Sequence, residues 1–123
     1  MIKLEELDAV VSIRKQLGDE SGLPVVLVNL FHVAPEDVDE LVAAWTEDAH
    51  YYKGQRGFVS TQLHRGIGGS TTFLNYAVWQ SVAHFRAAFN NPEFRAKLAR
   101  YPDSATGSPH LFRKVAVDDL CVD

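Results

Sequence analysis

The feature that most constrains the fold of this chain is the nine-residue run VVLVNLFHV at residues 25–33. The run is rich in β-branched and aromatic side chains, and it is apolar at both odd and even positions. That pattern is typical of a strand covered on both of its faces. We therefore expect this segment to lie in the middle of a sheet, with a second layer of protein on each side.

The segment after this run predicts a long helix. Pro35 suits a first helical position, and four acidic residues follow it where the positive end of the helix dipole favours them. Two glycines, Gly54 and Gly57, follow the helical pattern. Apolar residues recur in it at helical spacing, namely Val38, Leu41, Val42, Trp45, Ala49 and Tyr52. We predict a helix over residues 35–52.

A hairpin is predicted next. Residues 58–65 and 71–79 both have strand composition, and the glycine-rich segment 66–70 separates them. The glycines resemble a phosphate-binding loop only superficially, because they precede a strand and do not open a helix. We interpret them as the hairpin turn.

The remaining elements are a second helical region and a last strand. Ser81 is a helix-start residue for a segment that reaches Asn90, and Asn91-Pro92 repeats the signal for a segment to about residue 100. Residues 102–109 are predicted as a loop. Residues 111–117 are predicted as the last strand.

The ends of the chain have a different character from its middle. Residues 3–17 place apolar side chains at roughly helical spacing, and two glycines and a proline then interrupt the pattern. We predict an N-terminal helix and hinge over residues 1–24, one domain over residues 25–117, and an acidic tail over residues 118–123.

The order of these elements predicts the fold class. A helix followed by β-α-β-β-α-β matches the ferredoxin-like split β-α-β pattern, an α+β fold with helices on one face of a four-stranded antiparallel sheet. The other face of the sheet then lacks a cover within the chain. We expect a homodimer in which the sheets of two copies pack face to face.

Charge and composition exclude several classes of partner. The chain has 12 basic and 16 acidic residues and a net charge of −4, and its cations are dispersed, so nucleic acid and anionic membranes are poor candidates. No apolar run approaches the ~20 residues of a membrane span. The charged residues Glu5, Asp8 and Arg14 interrupt the N-terminal segment, unlike a signal peptide. With a single cysteine, Cys121, the expectation is a cytoplasmic protein.

Motifs for common cofactors are missing from the sequence. The five histidines have no HxH, HxxxH or HExxH spacing, and there is no second cysteine, so a metal site is not predicted. No nucleophile elbow, Walker loop or dinucleotide fingerprint is present. We expect no metal and no cofactor.

Two asparagines stand inside apolar strands. Asn29 shares strand parity with Leu27 and Phe31, and Asn75 shares it with Phe73 and, four residues on, Trp79. Burial of an amide costs ~1–3 kcal/mol unless its hydrogen bonds are made. Each asparagine therefore bonds either to the backbone or to a ligand, and Trp79 is either a core residue or part of the same site.

Together these segments resemble the antibiotic biosynthesis monooxygenase family of the dimeric α/β barrel superfamily. The matching stretches lie within residues 25–117 and read VVLVNLFHVAPEDVDELVAAW, GFVSTQLHR and FLNYAVWQSVAHFRAAFNNPEF. Members that form quinones from aromatic polyketides use an asparagine on the first strand, an asparagine on the third, and a tryptophan four residues later. Asn29, Asn75 and Trp79 match these positions.

The resemblance implies a function and a set of roles. It implies a monooxygenase, cofactor-independent, that oxidises a polycyclic phenol or anthrone to a quinone with O₂. Asn29 and Asn75 would contact the substrate oxygen or peroxide, and Trp79 would stack on the ring and donate its N–H. His64 is the candidate proton acceptor or relay. Apolar walls would come from Phe31, Phe85 and Phe89, although Phe85 stands where some relatives have a second tyrosine.

Another branch of the family degrades haem with a tryptophan and an axial histidine. The alignment places Ala88 and Lys97 at those two positions, and neither can substitute. Two more functions are compatible with the same build. One is a barrel that binds or isomerises a small metabolite without O₂, and the second is a structural or partner-binding dimer.

Overall fold

The structure, a computed structural model, describes residues 1–121. It is a mixed α+β ferredoxin-like fold with one sheet, in which the strand order is β1-β5-β2-β4-β3. The five strands are β1 (Lys3–Leu4), β2 (Val25–His32), β3 (Phe58–Arg65), β4 (Thr72–Trp79) and β5 (Thr106–Phe112).

The helices have the starting signals that the sequence contains. Ser81 Oγ accepts a hydrogen bond from the backbone N–H of His84 at 3.2 Å, and Asn91 Oδ1 accepts from that of Glu93 at 2.8 Å. Pro35 opens a 3-10 turn. The helices are α1 (Ile13–Gln16), α2 (Val38–Lys53), α3 (Val82–Phe89) and α4 (Pro92–Lys97), and 3-10 turns cover Pro35–Asp37 and Leu98–Arg100.

The central position of the first predicted strand is confirmed. β2 pairs with β4 on one side and with β5 on the other, in both cases antiparallel. The helix after it and the β3–β4 hairpin also lie where the sequence predicts them. The β-α-β-β-α-β order of the fold is therefore confirmed.

The predicted helix over residues 3–17 is wrong. Lys3 and Leu4 instead form a short fifth strand, parallel to β5, so the sheet has five strands where four were predicted. Pairing satisfies backbone groups that the edge of β5 would otherwise leave open. Asp8 accepts from the backbone N–H groups of Val10 and Val11, a local arrangement that competes with a helix. Helix α1 begins only after Ser12, whose Oγ caps it.

The last strand begins earlier than predicted. β5 runs over residues 106–112, so part of the predicted loop 102–109 belongs to the sheet and most of the predicted strand 111–117 does not. A proline, Pro109, argues against a central strand because it cannot donate a hydrogen bond. It is tolerated because β1 pairs only with residues 106 and 107, and beyond them β5 is the edge of the sheet.

The C-terminal segment closes on itself. Val117 and Cys121 exchange two backbone hydrogen bonds of 2.7 and 2.8 Å across a tight turn, in which Asp119 has a φ of 66°. Two residues of the predicted acidic tail, 122 and 123, lie outside the described residues. The division of the chain at residues 24 and 117 stays a prediction.

The two faces of the sheet differ. The inner face packs on the helices, and the bulky side chains between the two layers are almost completely buried, as for Trp79 of β4, Phe85 of α3 and Leu41 of α2. The outer face holds residues such as Val28, which is half-buried, and Tyr76, which is 41% exposed. The homodimer stays a prediction. Among the described residues, no helix has the length and apolar character needed to cross a bilayer.

Candidate active site

A cavity lies between the inner face of the sheet and the helices. Its walls are mostly apolar and aromatic, and they come from β2, β3 and β4 on the sheet side and from α2, α3 and α4 on the other. Such a cavity with a few placed polar groups is the usual form of a small-molecule site. The polar residues that line it are Asn29, Asp48, Tyr52, Thr61, Asn75 and Tyr101.

The two asparagines lie side by side on the sheet wall of this cavity. Asn29 on β2 and Asn75 on β4 are direct partners in the antiparallel register, so their side chains share the inner face. The Asn75 side chain is 9% exposed, and its Oδ1 accepts a hydrogen bond of 2.6 Å from Thr61 Oγ1. That bond fixes the amide so that its N–H₂ group is the end left for another partner.

Asn29 has an incomplete set of hydrogen bonds. Its Oδ1 is buried and has no hydrogen-bond partner among the described residues. Gly107 on β5 lies beside it, and a Cβ built there would come within 3.4 Å of Asn29 Oδ1 and 3.1 Å of Ile2 Cδ1. The absent side chain of Gly107 therefore keeps the space around this amide open. An unpaired buried amide is a position at which a ligand can supply the missing bond.

Trp79 is one of the aromatic residues that line the cavity. Its side chain is 1% exposed, and three rings meet it edge to face, with centroid distances of 5.6 Å to Tyr52, 5.5 Å to Phe58 and 5.6 Å to Phe85. These contacts favour one orientation of the indole. Trp79 is therefore a rigid aromatic surface.

The three predicted wall residues also line the cavity. Phe31 stacks on Tyr101 at 6.1 Å between centroids, and Phe85 packs on Phe89 at 5.2 Å. The structure thus brings Asn29 and Asn75 together with Trp79 and these phenylalanines.

His64 is not part of this group. It lies on β3 next to Leu63, which pairs with Asn75, and alternation along the strand turns the His64 side chain to the opposite, exposed face. A β-bulge between Phe58 and Ser60 shifts the register, so the sequence alone cannot assign the faces of this strand. The structure therefore does not bring His64 to this cavity.

Sequence reasoning missed a buried carboxyl group in the cavity. Asp48 on α2 is 5% exposed, and its Oδ2 accepts a hydrogen bond of 2.6 Å from the Tyr101 hydroxyl. Its Oδ1 is buried and has no partner among the described residues. Burial raises the pKa of Asp48 to about 6, although the Tyr101 hydrogen bond and the charge of Lys97 oppose the shift. The available signal was its position three residues after Trp45, within the apolar stripe of the helix.

Two phenols accompany Asp48. Burial, with the nearby Asp48 charge, raises the pKa of Tyr52 and of Tyr101 well above the ordinary value of 10. Both hydroxyls therefore stay protonated and act as donors at neutral pH. The cavity thus contains two phenols, although position 85 is a phenylalanine. Tyr101, which follows a 3-10 turn, carried no sequence signal.

Comparison with known proteins agrees with this architecture. The model of one family, antibiotic biosynthesis monooxygenase, matches residues 24–100, which is more than half of the chain. The chain belongs to this family.

Individual members of the antibiotic biosynthesis monooxygenase family are also similar to the chain. The tetracenomycin F1 monooxygenase of Streptomyces glaucescens is 40% identical over 72 residues, which cover 56% of this chain and 62% of the relative, less than two thirds of its length. Crystals of SnoaB, a cofactor-independent oxygenase from Streptomyces nogalater, show the same fold, with a TM-score of 0.67 and 28% identity over 78% of this chain and 97% of SnoaB.

A third relative is a haem enzyme. The heme oxygenase (mycobilin-producing) of Mycobacterium tuberculosis is 30% identical over 97 residues, which cover 78% of this chain and 92% of the relative. The cavity residues of the present chain offer no ligand for the iron of haem. Within residues 1–121, no histidine, cysteine or methionine lines the cavity. The two tyrosines there have raised pKa values, which disfavours the phenolate that iron would need. Haem does not fit these residues.

The described residues contain no cluster of candidate metal ligands. Over residues 1–121, no three side chains of His, Cys, Asp or Glu lie close enough together to hold an ion.

Proposed function

We propose that this member of the family oxidises a polycyclic aromatic phenol or anthrone to a quinone with O₂, and that it does so without a metal, flavin or haem. One observation carries the proposal. Asn29, Asn75 and Trp79 line a single apolar cavity, and neither amide N–H₂ group donates a hydrogen bond within the described residues. Two free donors beside a rigid aromatic surface suit a flat ring system that carries an oxygen substituent.

The reaction needs no electrons from the protein. An anthrone loses a proton from its ring methylene carbon to give an enolate, and the enolate passes one electron to O₂. The two radicals combine into a carbon-bound peroxide. Loss of the second methylene proton and cleavage of the O–O bond then leave the quinone carbonyl and one molecule of water. The substrate is oxidised and O₂ is reduced, so the protein supplies position, donors and a site for protons.

The two asparagines would stabilise the negative charge that develops on the substrate oxygen. A well-placed donor in a site without bulk water contributes ~3–4 kcal/mol to a transition state of this kind. Thr61 holds Asn75 in the donating orientation through its 2.6 Å hydrogen bond. Because carboxamides do not titrate, they donate without competing for the substrate proton.

The aromatic walls would hold the ring system in place. Trp79, which lines the cavity, would stack on the ring, and Phe31, Phe85 and Phe89 would supply apolar contacts around it. A lining of this kind also excludes bulk water from the enolate and the peroxide.

The proposed working unit is a cytoplasmic homodimer. The outer face of the sheet holds half-buried apolar residues and Tyr76, which is 41% exposed, and a second copy would cover it. Light scattering after size exclusion tests this arrangement, which a purely monomeric protein at micromolar concentration would contradict.

Oxygen uptake with 1,8-dihydroxyanthrone in metal-free buffer tests the function. We expect quinone formation with one atom of ¹⁸O₂ in the product, and a loss of roughly 100-fold in kcat for Asn75→Ala and Asn29→Ala, as removal of a single donor predicts. Asn90→Ala serves as the matched control, because Asn90 is exposed and lies outside the cavity. Equal product yield with and without O₂ would select a reaction that does not use oxygen, and full activity in Asn75→Ala would remove that residue from the mechanism.

A further inference from the structure

The mechanism proposed above leaves open which group accepts the substrate proton. We infer that the carboxylate of Asp48 is this acceptor and that it removes a proton from the ring methylene carbon of the bound substrate. The inference rests on the proposed function for the identity of the substrate. It assigns the proton transfers of the reaction, which the asparagines and Trp79 cannot perform.

The geometry of Asp48 suits a base that faces a ligand. One carboxylate oxygen, Oδ2, is held by the Tyr101 hydroxyl at 2.6 Å, which fixes the orientation of the group. The other oxygen, Oδ1, is buried and has no partner among the described residues. A buried acceptor without a partner costs free energy, and a bound C–H acid or hydroxyl in the cavity is the group that can use it.

Asp48 and the asparagines stand on different walls of the cavity. Asp48 is on α2, together with Trp45 and Tyr52, whereas Asn29 and Asn75 are on the sheet. A flat ring between these walls would meet the base from the helix side and the donors from the sheet side. The proton would then leave the carbon while the charge that develops on the substrate oxygen is stabilised from the sheet.

Other candidates for the base are weak. Among the described residues that line the cavity there is no histidine, lysine or second carboxylate. The Tyr52 and Tyr101 hydroxyls stay protonated because burial raises the pKa of each, so they are donors. His64, the base candidate from the sequence, lies on the opposite face of the sheet.

Several charged and titratable groups surround Asp48. Tyr101 follows the 3-10 turn after α4, Lys97 ends α4, and Glu47 and Tyr52 are on the same helix as Asp48. Burial has the largest effect on the pKa of Asp48 and raises it to about 6; the Tyr101 hydrogen bond and the charge of Lys97 lower it, and the charge of Glu47 raises it. A base with a pKa near the working pH is effective, because it is ionised at neutral pH and still binds a proton.

Asp48 alone can accept and return every proton that the reaction moves. Its carboxylate takes the first methylene proton as the enolate forms, and it returns that proton to the peroxide anion after O₂ has added. It then takes the second methylene proton as the carbon–oxygen double bond forms and the O–O bond breaks, and it transfers that proton to the departing hydroxide as water. Asp48 ends the cycle ionised, as it began.

Hydrogen exchange without oxygen tests the base separately from the oxidation. Under anaerobic conditions in D₂O, the protein should catalyse exchange of the methylene hydrogens of 1,8-dihydroxyanthrone, followed as loss of their proton NMR signal. We expect Asp48→Asn to lower this catalysed exchange by at least 100-fold, as loss of a general base predicts. Asp39→Asn makes the same chemical change at an exposed site on the same helix, and it should leave the exchange rate unchanged.

The outcomes separate the two proposals. Exchange that is lost in Asp48→Asn, without any O₂ uptake by the wild type, would support Asp48 as the base and overturn the oxidation. Exchange that continues at the wild-type rate in Asp48→Asn, or that the wild type does not catalyse, would overturn the base assignment, even when O₂ uptake is normal.

A second variant tests the same inference if Asp48→Asn does not fold. Tyr101→Phe keeps the ring but removes the hydrogen bond that lowers the pKa of Asp48. In the wild type the exchange rate should fall as the pH drops through about 6, because Asp48 becomes protonated. In Tyr101→Phe this fall should move to higher pH. A pH profile that does not move would overturn the inference, since a merely structural role of Tyr101 would change the rate without shifting the profile.

Discussion

The stability of Asp48→Asn as a function of pH tests whether the cavity holds a desolvated carboxyl group. The pKa of Asp48 is about 6 in the folded protein and 3.8 in the unfolded chain. The folded state therefore binds the proton more tightly than the unfolded state does. As the pH rises from below 4 to above 6, ionisation of Asp48 lowers the free energy of unfolding, and above that window the loss is complete.

The raised pKa of Asp48 sets how much the unfolding free energy changes with pH. Two pKa units correspond to about 3 kcal/mol over the full window, and to roughly 1–2 kcal/mol between pH 5 and pH 8. Asparagine has the same shape as aspartate and no charge, so the unfolding free energy of the variant does not fall through ionisation at this position. The N–H₂ group that the substitution introduces adds a cost that does not depend on pH. The difference in unfolding free energy between variant and wild type should therefore move in favour of the variant as the pH rises.

Urea unfolding at pH 5, 6, 7 and 8 measures this difference. The fluorescence of Trp45 and Trp79, which both line the cavity, reports the transition, at one fixed protein concentration because self-association would shift the midpoint. Asp39→Asn is the control, since its carboxyl group is exposed on the same helix and its difference from the wild type should stay nearly constant. A difference for Asp48→Asn that stays flat, or that moves in favour of the wild type as the pH rises, would refute the view that the cavity desolvates this carboxyl group.

Three further predictions concern other residues. Thr61→Val removes the hydroxyl that orients Asn75, and it should lower kcat for the anthrone about tenfold with little change in KM. Thr61→Ser keeps the hydroxyl and should retain the wild-type rate. Equal kcat in both variants would contradict the role of the hydroxyl. Gly57→Ala should lower the free energy of unfolding, measured with urea, by about 2 kcal/mol or more, because Gly57 has a φ of +86° and a Cβ there would overlap the His84 ring. A loss below about 1 kcal/mol would show that the ring moves aside. Haemin added to the protein should produce no Soret shift, and a saturable shift at equimolar haemin would contradict the misfit between haem and the cavity.

Much of the fold follows from local signals. The strand β2, the helix α2 and the β3–β4 hairpin were predictable because apolar periodicity, glycines and capping residues act over a few neighbouring positions. Strand parity likewise placed Asn75 and Trp79 on one face. The N-terminal strand and the start of β5 were not predictable in this way, because each is decided by the edge with which it pairs.

Sequence alone thus determined the fold class through the order of elements, and the family through resemblance. It also placed Asn75 and Trp79 on one strand face through alternation, and their role in a site stays a prediction. Tertiary structure decided the rest of the site. Asp48 and Tyr101 are 53 residues apart, and only packing of the helices on the sheet brings them within 2.6 Å and removes the carboxyl group from water. Desolvation depends on what covers a group from every side, and a one-dimensional pattern contains no such information.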